Sequence, residues 1–226
     1  MKLKASLHLH TANDLVEGSI IKYDIYRLID RAQESGFKVL ALTCHDFFVY
    51  KKEYGDYASE RGILLIPGVE LSLGKKHVLV LNANKATEEI KSFGELFDYK
   101  KNHPEILVIA AHPNFGFAVS MGIKLLRQNI KLFDAIENSW FYSRWFNLNK
   151  KVEEIARQHD KPMIATVDLH SLKYLDGDYA IIDAEKMTIQ EIFSAIKKGN
   201  FVNVTKPKKF FDLAVFIFRL VVWKKL

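Results

Sequence analysis

Short apolar runs separated by longer amphipathic stretches recur along almost the whole chain, and no other feature narrows the fold as much. Runs at residues 4–9, 39–43, 64–67, 77–81, 107–111, 135–137 and 163–166 are leucine-rich or β-branched. They are apolar on consecutive positions, as strands covered on both faces are. Between them the spacing predicts helices over 22–35, 50–61, 88–101, 122–129 and 147–159. Several of these stop at recognisable signals: Ser35-Gly36, Arg61-Gly62 and Asp160-Lys161-Pro162. Repeated strand–helix alternation points to an α/β fold with a parallel sheet or barrel. Seven strands over this length suit a compact barrel better than an open sheet.

At 226 residues the chain is long enough for one well-buried core, and 49% hydrophobic with 27% charged residues is an ordinary globular balance. Cys44 is the only cysteine, which excludes an intramolecular disulfide and suits a reducing compartment. The start MKLK runs straight into strand-like sequence with no apolar leader, so a cytoplasmic location is expected.

The net charge of +6 is unevenly spread. Residues 206–226 hold Lys206, Lys208, Lys209, Arg219, Lys224 and Lys225 against Asp212, a net +5, which leaves +1 for everything else. The body therefore lacks the basic surface that tight nucleic-acid binding requires, and no stable nucleic-acid partner is expected. The division expected is a catalytic domain over 1–205 and a basic, apolar helical tail over 206–226. In the tail, FFDLAVFIFRLVVW (210–223) is apolar at all but Asp212 and Arg219, which lie seven apart and would share one helical face. It falls short of the roughly 20 residues that span a bilayer. Three readings stay open: a helix packed on the barrel, an interfacial membrane helix that makes the protein peripheral, or a homodimer contact through 208–226.

Six of the eight histidines fall at strand ends: His8, His10, His45, His77, His112 and His170. Only His103 and His159 lie near predicted helix ends. Asp46, Glu70, Glu137 and Asp168 join the same strand ends. In barrels and open α/β sheets that edge is where loops converge on a ligand. His8 and His10 are two apart, so on a strand they point the same way, and Asp168 with His170 repeats the spacing. Glu70, His77 and His112 could close the ring. Taken singly, each pair reads more readily as ordinary sheet residues. Taken together they would bury many polar groups without partners, a cost that metal ligation removes. Imidazole and carboxylate without thiolate suits Zn, Mn or Fe. So many ligands imply two or three ions, with the two oxygens of Glu70 as a natural bridge.

The motifs HLHT (His8–Thr11), LTCHD (Leu42–Asp46), PGVEL (Pro67–Leu71), HVLVL (His77–Leu81), AAHP (Ala110–Pro113), AIEN (Ala135–Asn138) and VDLH (Val167–His170) occur in the order of the polymerase-and-histidinol-phosphatase (PHP) family, which the chain resembles from about Leu3 to Gly199. The resemblance implies a distorted seven-stranded (β/α) barrel with a di- or trinuclear centre. It implies a first metal on His8, His10, Glu70 and Asp168, and a second on Glu70, His77 and His112. A third would take His45, His170 and an acid, with Glu17 preferred over Asp14. Two positions depart from the pattern: Cys44 stands where an aspartate is usual, and Ser6 where an acid commonly precedes the first histidine pair.

The chemistry expected is metal-dependent hydrolysis of a phosphate ester by a metal-bound hydroxide, with Glu70, Asp168 and His170 as the catalytic groups. Arg144 and Lys173 are candidate phosphate clamps, and Glu137 is an alternative to His170 as proton donor. Only 41 residues separate Glu70 from His112, which leaves no room for a cap domain and points to a small phosphomonoester. A nuclease of short oligonucleotides uses the same chemistry. A metal-binding regulatory or scaffold subunit with little turnover is the reading from a different class.

Overall fold

The structure, a computed structural model, describes residues 1–115 and 118–209. Among these residues a sheet of nine strands is ordered β7-β6-β5-β4-β3-β2-β1-β8-β9. In chain order the strands are β1 (Lys2–Leu9), β2 (Val39–Leu42), β3 (Leu64–Leu73), β4 (Lys76–Leu81), β5 (Leu107–Ala110), β6 (Ala135–Ser139), β7 (Met163–Thr166), β8 (Tyr179–Asp183) and β9 (Phe201–Val204). The helices are α1 (Ile25–Glu34), α2 (Lys52–Glu60), α3 (Phe93–Asn102), α4 (Gly122–Gln128), α5 (Asn149–Gln158) and α6 (Ile189–Lys197). The sheet nearly closes: past its end, β7 meets β1 through a parallel bridge between Leu9 and Leu169. Asn203 of β9 hydrogen-bonds the Met163 carbonyl and the Ala165 amide.

Two sequence expectations need correction. Nine strands form rather than seven, because residues 179–204 add β8, α6 and β9. The sheet is mixed rather than parallel. β3 pairs with β4 antiparallel, β4 with β5 antiparallel, and β8 antiparallel with both β1 and β9. Gly74 and Lys75 explain the first reversal. Both have positive φ, +56° and +67°, and they join Leu73 to its partner Lys76, as a two-residue hairpin turn with left-handed central residues does. Consequently β1, β2, β3, β5, β6, β7 and β9 run one way while β4 and β8 run the other. The C-terminal ends of the first set and the start of β4 share one edge, the mouth.

Side chains alternate between an interior and an outer layer. Leu3, Ala5, Ala41, Ile66, Leu79, Leu81, Ile109, Ala135 and Ile164 form the interior, where α6 adds Ile192, Phe193 and Ile196. Val69, Leu71, Val78, Val80, Val108 and Ile136 face outward against α3, α4 and α5. Leu9, Leu40 and Leu42 face α1 and α2. The interior rows rise toward the mouth in steps of two, so Leu81 and Leu79 lead to His77, and Ala135 leads to Glu137. On β1 the register slips between Ser6 and Leu9. Leu7 is interior and Leu9 is outer, so this bulge resets the alternation and turns His8 and His10 inward.

Residues 210–226 lie outside the described residues, and with them the helix expected there. Among the described residues no helix is long and apolar enough to cross a membrane.

Candidate metal centre

Glu70 sits fully buried on β3, and five imidazoles converge on its carboxylate. Oε2 lies 3.0 Å from His8 Nε2, 3.3 Å from His10 Nε2 and 3.2 Å from His45 Nε2. Oε1 lies 2.8 Å from His77 Nδ1 and 3.1 Å from His112 Nε2. Asp168 completes the first side, its Oδ1 3.4 Å from both His8 Nε2 and His10 Nε2. Asp168 and His112 both hold positive φ, +48° and +23°, strained backbone of the kind that collects at functional sites.

A second layer of carboxylates fixes the rings from behind. Glu137 Oε2 takes His8 Nδ1 at 3.1 Å and the His112 amide at 3.1 Å. Asp14 Oδ2 takes His10 Nδ1 at 3.0 Å, His45 Nδ1 at 2.8 Å and the His45 amide at 2.9 Å. Its Oδ1 accepts from the Val16 and Glu17 amides, tying down the loop after β1. A carboxylate on Nδ1 sets the tautomer and leaves Nε2 free to face inward, the arrangement that orients metal-ligating histidine.

The crowding sets the electrostatics. Burial opposes charge on His8, but Glu70, Asp168 and Glu137 outweigh it and raise its pKa to about 10. His10 is likewise held well above the usual range against its burial by the carboxylates of Asp14, Asp168 and Glu70. Burial would raise Glu70 and Asp168, yet the surrounding imidazoles hold both well below the carboxylate range. The protons on these rings balance the buried carboxylates, and divalent cations would balance them equally.

Three groups of side chains bring their ligand atoms within 4.8 Å of one another: His8, His10, Glu70 and Asp168; His10, Asp14 and His45; His45, Glu70 and His77. The residues fit metal ions on a further observation. His10 Nε2 and His77 Nδ1 are buried within 3.3 Å of a Glu70 oxygen yet make no hydrogen bond with it. Ring nitrogens close to a carboxylate but aimed past it suit a shared ion.

The other expected residues take different places. His170 stands farther out, half-buried, with Nε2 2.5 Å from Glu17 Oε2 and Nδ1 3.5 Å from Asp168 Oδ1. Asp46 is not in the ring; its Oδ1 accepts the Ser72 amide at 2.7 Å. Arg144 and Lys173 are exposed, and no described contact joins either to the histidines. Lys173 Nζ instead lies 4.6 Å above the Tyr174 ring. Cys44 is buried in the layer facing α1 and α2, near Thr11 Oγ1 at 3.7 Å, and burial pushes its thiol pKa up. It belongs to none of the three groups. His103 and His159 are the C-caps of α3 and α5.

Sequence reasoning left two supports unrecognised. The sequence marks Glu137 as a buried acid or a proton donor, and the structure makes it the partner of His8. Ser120 holds the loop after β5, its Oγ donating toward the His112 and Pro113 carbonyls and accepting the Phe115 amide. The Gly74-Lys75 pair did carry a signal, a two-residue turn between apolar runs, for the hairpin that delivers His77.

Comparison with known proteins bears on the family and the fold. The family description "PHP domain" matches residues 6–203. No curated protein matches the chain by sequence. Among solved structures, a two-domain protein containing a predicted PHP-like metal-dependent phosphoesterase, from Bacteroides vulgatus, is similar with a TM-score of 0.68 at 18% identity. The alignment covers 91% of this chain and 65% of that one, so this chain spans just under two thirds of its length. PsfC from Pseudomonas syringae is similar with a TM-score of 0.67 at 15% identity, covering 98% and 99%. An amidohydrolase from Chromobacterium violaceum, solved with bound sulfate and no metal, has a TM-score of 0.55 at 17% identity, covering 74% and 87%. At these identities the likenesses speak to the fold.

Proposed function

The chain belongs to the PHP domain family, and from that premise we propose that it is a metal-dependent phosphoesterase acting on small phosphomonoesters. The observation that carries the reading is the convergence of five imidazoles on the two oxygens of Glu70. Two divalent ions would be held with Glu70 between them, by His8, His10 and Asp168 and by His77 and His112, which leaves His170 free to handle a proton. Such ions neutralise phosphoryl oxygens and bring the acidity of water close to neutrality.

The chain's own groups do the rest. Glu70, with His8, His10 and Asp168 on one side and His77 and His112 on the other, fixes the spacing between the two positions. Glu137 and Asp14 keep Nδ1 of His8, His10 and His45 occupied, so that Nε2 faces inward. Glu137 is fully buried behind His8 and cannot reach a leaving group. That leaves His170 as the proton donor. Burial opposes its charge, but Asp168 and Glu17 outweigh this and raise its pKa, which favours the protonated ring.

Substrate size is argued from the chain between Glu70 and His112, which builds only β4, a short 3-10 turn, α3 and β5. No cap covers the mouth from there. The test is phosphate release from small phosphomonoesters and from a diester, after reloading with Mn or Zn. Metal-dependent turnover of monoesters that vanishes in Glu70→Gln supports the reading. Turnover of the diester alone would favour a nuclease. Full metal loading with neither activity would leave a binding protein.

A further inference from the structure

Among the described residues, the mouth of the barrel is bordered by large apolar side chains that are exposed. Trp145 is 89% exposed, Leu15 69%, Val16 57% and Tyr174 56%, with Phe47 and Phe146 also exposed. All six belong to loops that leave the mouth edge: after β1, after β2, after β6 and after β7. They stand close to the cluster in the chain. Leu15 and Val16 lie between Asp14 and Glu17, and Phe47 is two residues past His45. Rings connect the two zones, from His112 to Phe115 at 5.6 Å, Phe115 to Phe141 at 4.4 Å and Phe141 to Phe146 at 6.5 Å.

The charges on the same loops are one-sided. Asp14, Glu17 and Asp168 face the histidines. Asp24 caps α1, Asp46 holds the Ser72 amide, and Asp176 and Asp178 pair with Lys4 and Lys208. Every carboxylate on the rim is thus engaged within the protein. Lys22, Lys75, Arg144 and Lys173 remain exposed on its turns. An apolar, aromatic rim whose exposed cations pair with no acid among the described residues complements a surface of anionic headgroups over acyl chains.

The course of the chain adds an independent argument. β9 runs in the direction of β1 and so ends at the mouth edge. Beyond it, Tyr142 Oη donates to Thr205 Oγ1 at 2.8 Å, and the Lys208 amide donates to the Tyr142 carbonyl at 2.8 Å. The chain therefore leaves the described region beside the loop that carries Trp145. Residues 210–226, next in sequence, carry the apolar stretch with Lys224 and Lys225 at its end. Lasting attachment to a bilayer usually needs two such signals.

We propose that the rim of the mouth is a docking surface for an anionic lipid bilayer, with Trp145, Phe146, Leu15 and Val16 entering the interface and the exposed cations at headgroup level. The test is co-sedimentation of the full-length protein with vesicles of phosphatidylcholine alone and of phosphatidylcholine with phosphatidylserine. The wild type partitions onto the anionic vesicles. The double variant W145S/F146S, and separately L15S/V16S, lowers that partition by at least about ten-fold, as loss of two interfacial apolar side chains requires. Phe97→Ser, an exposed aromatic on α3, leaves it unchanged. Two variants on different loops keep the test alive if one fails to fold, and metal content with circular dichroism identifies such a failure. Wild-type partition in both rim variants would place the contact elsewhere, residues 210–226 included, and overturn the proposal. Absence of binding by the wild type, or equal binding to neutral vesicles, would overturn it too. No turnover is read, so this outcome is separate from the fate of the phosphoesterase reading.

Discussion

The two sides of Glu70 are built to different standards. On the Oε2 side, His8 is backed by Glu137, and His10 and His45 share Asp14, so three rings have their tautomer and orientation set by a carboxylate. On the Oε1 side neither ring has such a partner. His112 Nδ1 is buried without a hydrogen bond, and His77 already turns Nδ1 toward Glu70. One half is pre-organised, while on the other His77 is held through its strand backbone, its amide on the Val119 carbonyl, and His112 stands on the loop after β5. The difference predicts two unequal metal sites, tight on the first side and weaker on the second.

The largest effect tests whether the two sides are one unit. Glu70→Gln removes the shared charge, and metal-dependent phosphate release should fall by about 10²–10³-fold or more, with loss of bound metal by elemental analysis. Retention of both ions would show that Glu70 is not the bridge. Next, Asp14→Asn and His112→Gln should separate the halves. Asp14→Asn should weaken the tight site by about 10–100-fold while leaving the weak one near its wild-type affinity. His112→Gln should remove the weak site and spare the tight one, as read by calorimetric titration. Equal weakening of both sites in either variant would refute the asymmetry.

The pH dependence has a definite sign. In the metal-free protein His8, with a pKa of about 10 against an ordinary 6.5, stays protonated across neutral pH. Its contribution to stability is complete below about pH 6.5 and is lost as pH rises through about 10. Asp14, Glu17, Glu70 and Asp168 are lowered, so their contribution is present above the ordinary carboxylate range and is lost as pH falls below it. Ions entering the tight site must displace the protons on His8 and His10. Metal affinity there should therefore rise with pH from 6.5 toward 10, by up to about ten-fold per pH unit for each proton released. A flat affinity between pH 6.5 and 8.5 would sink this account. The smallest effect concerns Cys44. Cys44→Ala should cost only about 1 kcal/mol of stability by urea unfolding, and leave both sites unchanged. A lost ion in that variant would bring the thiol into the cluster after all.

Much of this is legible in the sequence, for reasons that differ by region. β1 to β7 and α1 to α5 announce themselves by period, since each strand is apolar on both faces and each helix has one apolar stripe. β8 and β9 do not, because they lie toward one side of the sheet, where β8 buries only Ala180 and Ile182 and β9 buries no residue fully. The antiparallel β4 is hidden because a run of consecutive apolar residues carries no direction. In the site, His8, His10, Glu70 and Asp168 can be grouped from spacing and strand ends. Glu17 was preferred to Asp14 as the acid beside His45, and the structure gives each a partner: Asp14 serves His10 and His45, Glu17 serves His170. Sequence distance could not sort them, since three residues in a tight loop can point in opposite directions.

The sequence by itself determined which residue types reach the mouth: strand period and strand length set that, and both are local properties of the chain. The structure decided the place of Cys44, which packs with the outer, apolar set just past β2 and belongs to none of the three ligand groups. Only the tertiary structure decided which carboxylate meets which imidazole. The bulge in β1 turned His8 and His10 inward, the hairpin at Gly74-Lys75 brought His77 back over Glu70, and closure of the sheet set Asp168 beside His8. Each of those contacts joins elements far apart in the chain, and its geometry depends on the register and twist of the whole sheet, which no short stretch of sequence contains.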